Sequence, residues 1–523
     1  MKLPKLWVRS AAPAPTAGAM PDVNTPPKRR YLARSLAQMF KASGTTDKDN
    51  WGGTPMSPDV FITLRQPVLV ARSREQWSNN DYVRNFVRLV RQNVVGPQGV
   101  KLQAKVKTPR GKSDADANAA LEDAFCEWGK KGNCDVTGQL SWREIQCMVM
   151  ETTARDGEFI VRKVYGDDAG PMGFALQMID PQRLSVKYEN YKFGNNGHFI
   201  RQGIEFNRFG RPVAYHFTSM DEWDAYYYSI SGKGFVRIPA EQIIHGFVHE
   251  MVGQRRGLPW ASTSLFRLHH LQGFEDAAVQ NARASATKMG FIQYKEGFGP
   301  ECEDDQPVEI DAEPLAWHEL PEGAEVAEWS PQYPSGEFAV FNKAMLRGAA
   351  AGFGVLYNNL AGDLEGVNFS SIRQGALDER EHWKELQQWL IETIVVPVYE
   401  EWLRFSLLAG AIKVKGRPLP AEKISAYRQV ECQGRRWAWI DPRADNDANI
   451  AAMRAGLKSP SQIIRESGRD PEEVFREIAE DLEAMKDAGI DEDIIELFMT
   501  GQPPAPEPEP AEPAGNNTSK VDE

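Results

Sequence analysis

Apolar residues recur at helical spacing in some stretches of this chain and alternate in others. Leu265, Leu268 and Leu271 lead into Ala277, Ala278, Ala282 and Met289, a helix that Ser262 or Thr263 can cap. Phe338, Phe341, Met345, Ala349 and Phe353 mark a second helix, opened by Ser335 with Glu337 in its first turn. The second half of the first helix is rich in small residues that permit close packing. Trp383, Leu386, Leu390, Ile394, Val398, Trp402 and Phe405 keep to one face of a long helix from about Ser370, which Pro397 is expected to kink.

The same patterns organise the rest. Asn80-Asp81 opens a helix through Tyr82, Phe86, Leu89 and Val90, and Val94 to Gly99 ends it. Val100 to Val106 alternates as a strand, and two helices follow at Ala115–Trp128 and Ser141–Thr153, with Ser141 and Glu144 as a capping box. Short strands are predicted at 158–162, 175–179, 203–206, 212–217 and 235–238, with Asn207-Arg-Phe-Gly210 as a hairpin turn. Ser459-Pro460 and Asp470-Pro471 place Pro just inside capped helix starts, and Asp441 and Asp445 can cap a helix before them. These signals predict an α+β chain with a mostly antiparallel sheet and a helical C-terminal unit.

Charge changes the picture between the first two helices. From Lys295 to Lys343 no Lys or Arg occurs, against roughly thirteen carboxylates, among them Glu303, Asp304, Asp305, Glu309 and Asp311. Val308, Ile310, Leu315, Trp317, Leu320, Val326 and Trp329 interleave with them, so the stretch reads as a small folded β-rich arm. After the second helix, Tyr357 to Asn368 reads as a loop made mobile by Gly362 and Gly366, with Asp363 and Glu365 its only charges. Net charge is −12, which argues against tight binding to phosphates. The five cysteines are odd in number and irregularly spaced, as in a reducing compartment. No apolar run reaches the roughly 18 residues of a membrane span, and residues 1–30 and those beyond about 503 are biased in composition, as flexible segments are.

Catalytic signatures are missing. There is no phosphate-cradling Gly-x-x-x-x-Gly-Lys-Ser/Thr and no Gly-x-Ser-x-Gly. His245 and His249 lack the following Glu of a zinc protease motif, and His269 and His270 diverge on a helix. No catalytic, cofactor-binding or metal-binding residue is assigned.

In order and spacing, several segments resemble the lambda-type portal proteins of tailed bacteriophages, from about Arg29 to about Ala479. They include Arg91-Gln-Asn-Val-Val-Gly, Arg155-Asp-Gly-Glu-Phe, Ile179-Asp-Pro-Gln-Arg-Leu184, Gly203 to His216, Ile238 to His245, Gly253-Gln-Arg-Arg-Gly-Leu-Pro259, Phe369-Ser-Ser-Ile-Arg373 and Trp439-Ile-Asp-Pro442. Phe369 stands where the family tends to have Tyr. The resemblance implies a ring, commonly of twelve subunits, at one capsid vertex, through which DNA is packaged and ejected. It implies an N-terminal arm (1–30), an α/β wing (31–257), stem helices (258–289 and 335–357) and an acidic clip between them (290–334). A tunnel loop (358–368), a long kinked helix returning to the wing (369–440), a helical crown (441–500) and a disordered tail (501–523) complete the expected architecture.

Under that architecture Asn358, Asn359, Asp363, Glu365 and Asn368 are the candidates to line the DNA channel. Glu303, Asp304, Asp305, Glu309 and Asp311 are the candidates for docking the packaging motor, and Ala278, Ala282 and Ala349 for stem packing. The implied partners are other copies of the chain, double-stranded DNA passing without sequence specificity, the large terminase subunit, the major capsid and scaffold proteins, and head-completion or adaptor proteins. No cofactor and no membrane are implied, and the implied locations are the virion's portal vertex and the host cytoplasm during assembly. The alternative is a metal-dependent nuclease or hydrolase of a packaging complex, its clustered carboxylates holding Mg²⁺. An exposed arm without a positioned base favours the conduit.

Overall fold

The computed structural model describes residues 56–170, 172–193, 197–219, 234–286, 290–294, 324–328, 337–437, 442–491 and 494–495. The chain divides at Ser57 into two units, and the elements below belong to the second, Pro58–Glu523. The expected N-terminal arm and C-terminal tail lie outside the described residues, as do Ser335, Asp441 and the clip acids Glu303, Asp304, Asp305, Glu309 and Asp311.

Helix α1 (Pro58–Asn79) is missed by the periodicity reading because Pro67 sits in its interior and its apolar residues spread around the axis. Asn80 then breaks the chain direction and caps α2 (Asp81–Val90), its side chain accepting from the amides of Tyr82 and Val83. Strand β1 (Lys101–Ala104) follows and pairs with a strand more than 300 residues away, β12 (Val430–Gln433). Helices α3 (Ala115–Trp128) and α4 (Trp142–Asp156) come next, the latter with the predicted capping box of Ser141 and Glu144.

Two antiparallel sheets carry most of the β content. One holds three strands in the order β3 (Phe174–Ile179), β2 (Glu158–Tyr165), β9 (Ile243–Phe247). The other holds five in sequence, β4 (Asn190–Phe193), β5 (His198–Arg201), β6 (Ile204–Phe206), β7 (Pro212–Thr218) and β8 (Phe235–Pro239). Asn207 to Gly210 makes the predicted tight turn between β6 and β7. Ile160, Ile179, Leu184, Ile204, Phe206, Tyr215, Phe217, Ile238 and Ile243 form a small core joining the sheets.

Helix α5 (Leu265–Ala286) leads to β10 (Gly290–Tyr294), which pairs antiparallel with β11 (Ala324–Glu328), and α6 (Glu337–Phe353) returns. A short helix α7 (Tyr357–Ala361) and the long α8 (Phe369–Leu390) follow. A π-turn at Ile391–Val395 joins α8 to α9 (Val396–Leu408), so the disturbance expected from Pro397 takes the form of widened turns just before it. Trp383, Leu386, Leu390, Ile394, Val398 and Trp402 are all buried in the main core with α2, α3 and α4. Helices α10 (Pro442–Arg454), α11 (Pro460–Ser467) and α12 (Pro471–Asp487) close the described chain, with Ser459 and Asp470 capping as predicted.

One contact between distant segments permits no side chain. Gly157 ends α4 with φ +93°, and a Cβ there would lie 2.3 Å from the carbonyl carbon of Leu258. A Cβ on Gly257 would lie 2.0 Å from the Gly157 carbonyl oxygen. We predict that Gly157→Ala lowers unfolding stability by at least about 2 kcal/mol, from left-handed strain plus overpacking. Gly111→Ala, at φ +79° in open space, is the control and costs only about 1 kcal/mol. Urea midpoints distinguish the two; equal midpoints would refute the backbone contact.

Candidate functional site

Several of the segments that carry the family resemblance meet in space. Gly157 sets the close approach, and Glu158, first residue of β2, lies fully buried behind it. Its carboxylate accepts from Arg256 Nε at 2.9 Å, from the Gly257 amide at 2.9 Å and from Gln66 Nε2 at 3.2 Å, and His245 Nε2 lies 3.0 Å away. Arg256 is equally buried and spends its remaining protons on the carbonyls of Leu184, Gln202 and Pro181. Burial alone would push the Glu158 carboxyl up, but the Arg256 guanidinium and the His245 hydrogen bond outweigh it and hold the group at about 2.

A second buried carboxylate does the same for the five-stranded sheet. Glu205 on β6 accepts from Arg237 Nε at 2.8 Å and lies 2.9 Å from His198 Nδ1 and 3.3 Å from His216 Nε2. Desolvation opposes ionisation, yet Arg237 and the two imidazoles bring its pKa down to about 2. Burial pushes His216 below its ordinary value. Arg74 on α1 bridges Asp156 at 2.8 Å and Asp180 at 2.7 Å. These hubs use residues from α1, α4, β2, β6, β8 and β9 and the turns at 180–184 and 254–258.

Such hubs are structural. Glu158 and His245 have the residue types of an acid–base pair, but neither reaches solvent, and every acceptor position on Glu158 is filled. His249 is exposed and stacks near Phe247, away from Glu158's bonds. Among the described residues no group of His, Cys, Asp or Glu is placed to hold a metal ion.

The α5–α6 pair is built differently. The helices run antiparallel. Ser264 Oγ donates to the Ala349 carbonyl at 3.2 Å near the body, and Asn342 Nδ2 donates to Glu275 Oε1 at 2.8 Å further out. Small residues allow the close crossing: Ala349 is fully buried, and a Cβ on Gly352 would meet Ser264 Oγ at 2.3 Å. Phe274 stacks on Phe338 and meets Phe341 edge-on along the seam. Beyond Leu271 none of residues 272–283 is buried, and Ala278 and Ala282 are half-covered. Phe266 and Val340 are 71% and 70% exposed, so the hairpin leaves large apolar groups uncovered in one chain.

The segment expected as a mobile loop is tied down. Asn358 and Asn359 lie in α7, not in a loop. Asn358 Nδ2 donates to the Asp363 carbonyl at 2.7 Å, and Asn359 Nδ2 donates to the buried Glu379 on α8. Asp363 accepts from the Tyr357 hydroxyl at 2.7 Å and pairs with Lys343 of α6 at 3.0 Å. The Tyr357 hydroxyl, the Glu365 amide and Lys343 together lower Asp363 to about 2. Asn85 of α2 donates to the carbonyls of Asn359 and Leu360 at 2.9 and 2.8 Å. Asn368 caps α8, and Glu365 is left as the exposed acid beside Leu364. Sequence reasoning assigned no role to Lys343, Glu379, Asn85, Glu158 or Arg256. The last two stood inside quoted segments, and a Glu opening the apolar run Phe159-Ile-Val was the one signal of a buried charge.

Removing one partner of the Glu158–Arg256 pair strands the other. Arg256→Met is expected to destabilise the fold by about 3–5 kcal/mol, read from denaturant midpoints. Because Glu158 is held at about 2, below its ordinary 4.5, its contribution is complete above about 4.5 and is lost as pH falls toward 2. Glu158→Gln therefore flattens the acid limb of a stability–pH curve; a limb of unchanged slope would contradict the assignment.

Comparison with known proteins finds the following similarities. The family model described as phage portal protein, lambda family, matches residues 44–387. The chain is 33% identical over 466 residues to a probable portal protein of Halomonas phage phiHAP-1, covering 87% of this chain and 88% of that one. It is 21% identical over 459 residues to portal protein B of Escherichia phage lambda, covering 80% and 84%. Among solved structures, a chain from the neck of an empty gene transfer agent particle aligns with TM-score 0.41 and 16% identity, covering 78% of this chain and 94% of that one.

Proposed function

The chain belongs to the lambda family of phage portal proteins, and from that premise we propose that copies of it close into a ring, of about twelve subunits as in the family, through which double-stranded DNA enters and leaves the capsid. The carrying observation is the α5–α6 hairpin, whose apolar groups Phe266 and Val340 are left in water by a single chain. The wing satisfies its own buried charges, whereas the stem leaves an apolar face that a neighbouring copy would cover. The β10–β11 pair stands at the far end of the hairpin, where the acidic clip would begin. Its carboxylates are the proposed docking surface for the packaging motor and, later, for head-completion proteins. Assembly would take place in the host cytoplasm, with capsid and scaffold proteins as partners. No helix among the described residues is long and apolar enough to cross a membrane.

The segment after α7 presents one free acid, Glu365, to the proposed channel, since Asp363 is consumed by Lys343 and Tyr357. An exposed carboxylate repels the DNA backbone and keeps passing contacts brief.

Two outcomes follow. Val340→Asp leaves the monomer's thermal stability within about 0.5 kcal/mol of the parent, as expected for an exposed site, but abolishes rings in light scattering. Rings of unaltered mass would remove the stem from the interface. Glu365→Lys leaves ring mass unchanged and slows DNA packaging, with the defect easing as salt rises. Normal packaging rates at low salt would place Glu365 away from the DNA.

A further inference from the structure

Three glycines in left-handed backbone each underlie the stem of one arginine. Gly96, at φ +74°, lies under Arg435, whose Cδ would stand 2.8 Å from a Cβ there. Gly99, at φ +76°, lies under Arg143, and Gly468, at φ +90°, under Arg436, each with 3.2 Å to the nearest side-chain carbon. Positive φ favours glycine, and the missing Cβ lets the aliphatic stem lie flat on the backbone.

These arginines line two clefts with a shared wall. One, of about 530 Å³, lies among the turn before β1, the end of β12 and the turn before α12, and includes Lys101, Arg435 and Arg436. The other, of about 740 Å³, lies along α4 and includes Arg143. Pro97 and Arg435 belong to both.

Carboxylates nearby are already engaged or few. Arg91 pairs with Glu151 and Arg469 with Glu477. Glu144 is occupied by the amide and hydroxyl of Ser141, both at 2.9 Å. Arg435 donates to neutral oxygens, the Gln92 carbonyl and Asn93 Oδ1, and Arg143 to the Cys147 sulfur. Glu473 is the one carboxylate in the lining of the first cleft. Burial, and after it the neighbouring Arg380 guanidinium, push Arg435 below its ordinary value. This stands in a chain whose net charge is −12.

Guanidinium forks match phosphate oxygens, and several along connected clefts suit a run of phosphates better than one small anion. We propose that the paired clefts bind the phosphodiester backbone of double-stranded DNA without regard to base sequence. The inference rests on the portal reading for the presence of DNA, and it adds a holding site to a surface that otherwise repels it.

The test uses the intact assembled protein, a short labelled duplex of arbitrary sequence, and fluorescence anisotropy over a salt series. Arg143 and Arg436 are both exposed, so Arg143→Gln with Arg436→Gln spares the fold. The double variant is expected to bind about tenfold more weakly or worse at low salt, with a log K against log salt slope shallower by about 2. Unchanged slope and affinity overturn the proposal. So does a variant that binds DNA normally per ring but assembles fewer rings, which assigns the clefts to acidic groups of a second copy. Parent protein that shows the arginine-dependent binding yet forms no ring overturns the portal-ring reading and leaves the cleft site standing.

Discussion

A carboxylate with no access to water governs this molecule. Glu158 is held ionised by Arg256, and Arg256 in turn consumes three backbone carbonyls from turns that share no secondary structure. A buried ion pair of this kind contributes little net stability against an apolar replacement, because both charges lose their hydration. Its effect lies in geometry. The guanidinium satisfies its donors only when β2, the 181–184 turn, Gln202 and the 254–258 segment stand in one arrangement. The Gly157–Gly257 contact beside it tolerates no Cβ, so the same segments are fixed sterically and electrostatically at once.

The sheet-bearing body and the α5–α6 hairpin therefore solve opposite problems. Among the described residues of the sheet-bearing body, three carboxylates drawn inside find partners within the chain: Glu158 with Arg256, Glu205 with Arg237, Asp156 with Arg74. In the hairpin the seam is closed by Phe274, Phe338 and Phe341, while other apolar groups face outward. The body pairs these charges itself, whereas the hairpin leaves Phe266 and Val340 exposed in a single chain. The segment after α6 belongs with the first kind, latched by Lys343, Glu379 and Asn85 despite its glycines.

Charge is apportioned in the same way. The chain as a whole is acidic, with a net charge of −12. Against that background, positive charge is gathered where glycines let arginine stems lie against the backbone, at the junction of β1, β12 and the turn before α12.

Local rules made the elements legible in the sequence. Asn80, the Ser141–Glu144 box, Ser459-Pro460 and Asp470-Pro471 mark helix starts because a cap acts within three residues of itself. The one-sided row from Trp383 to Trp402 announced a buried helix, and strand alternation announced the β segments. Helix α1 escaped because an interior proline and scattered apolar residues defeat periodicity. The segment after Tyr357 was read as mobile because two glycines are visible in a sequence and the three distant side chains that hold it are not. The order and spacing of its segments also determined the family. What tertiary structure alone decided was which charges are buried and whom they meet. Arg256 lies 98 residues from Glu158, and Lys343, Asn85 and Glu379 reach the same short turn from three helices. Burial and long-range pairing depend on where the chain returns to itself, and no local pattern of residue types encodes that return.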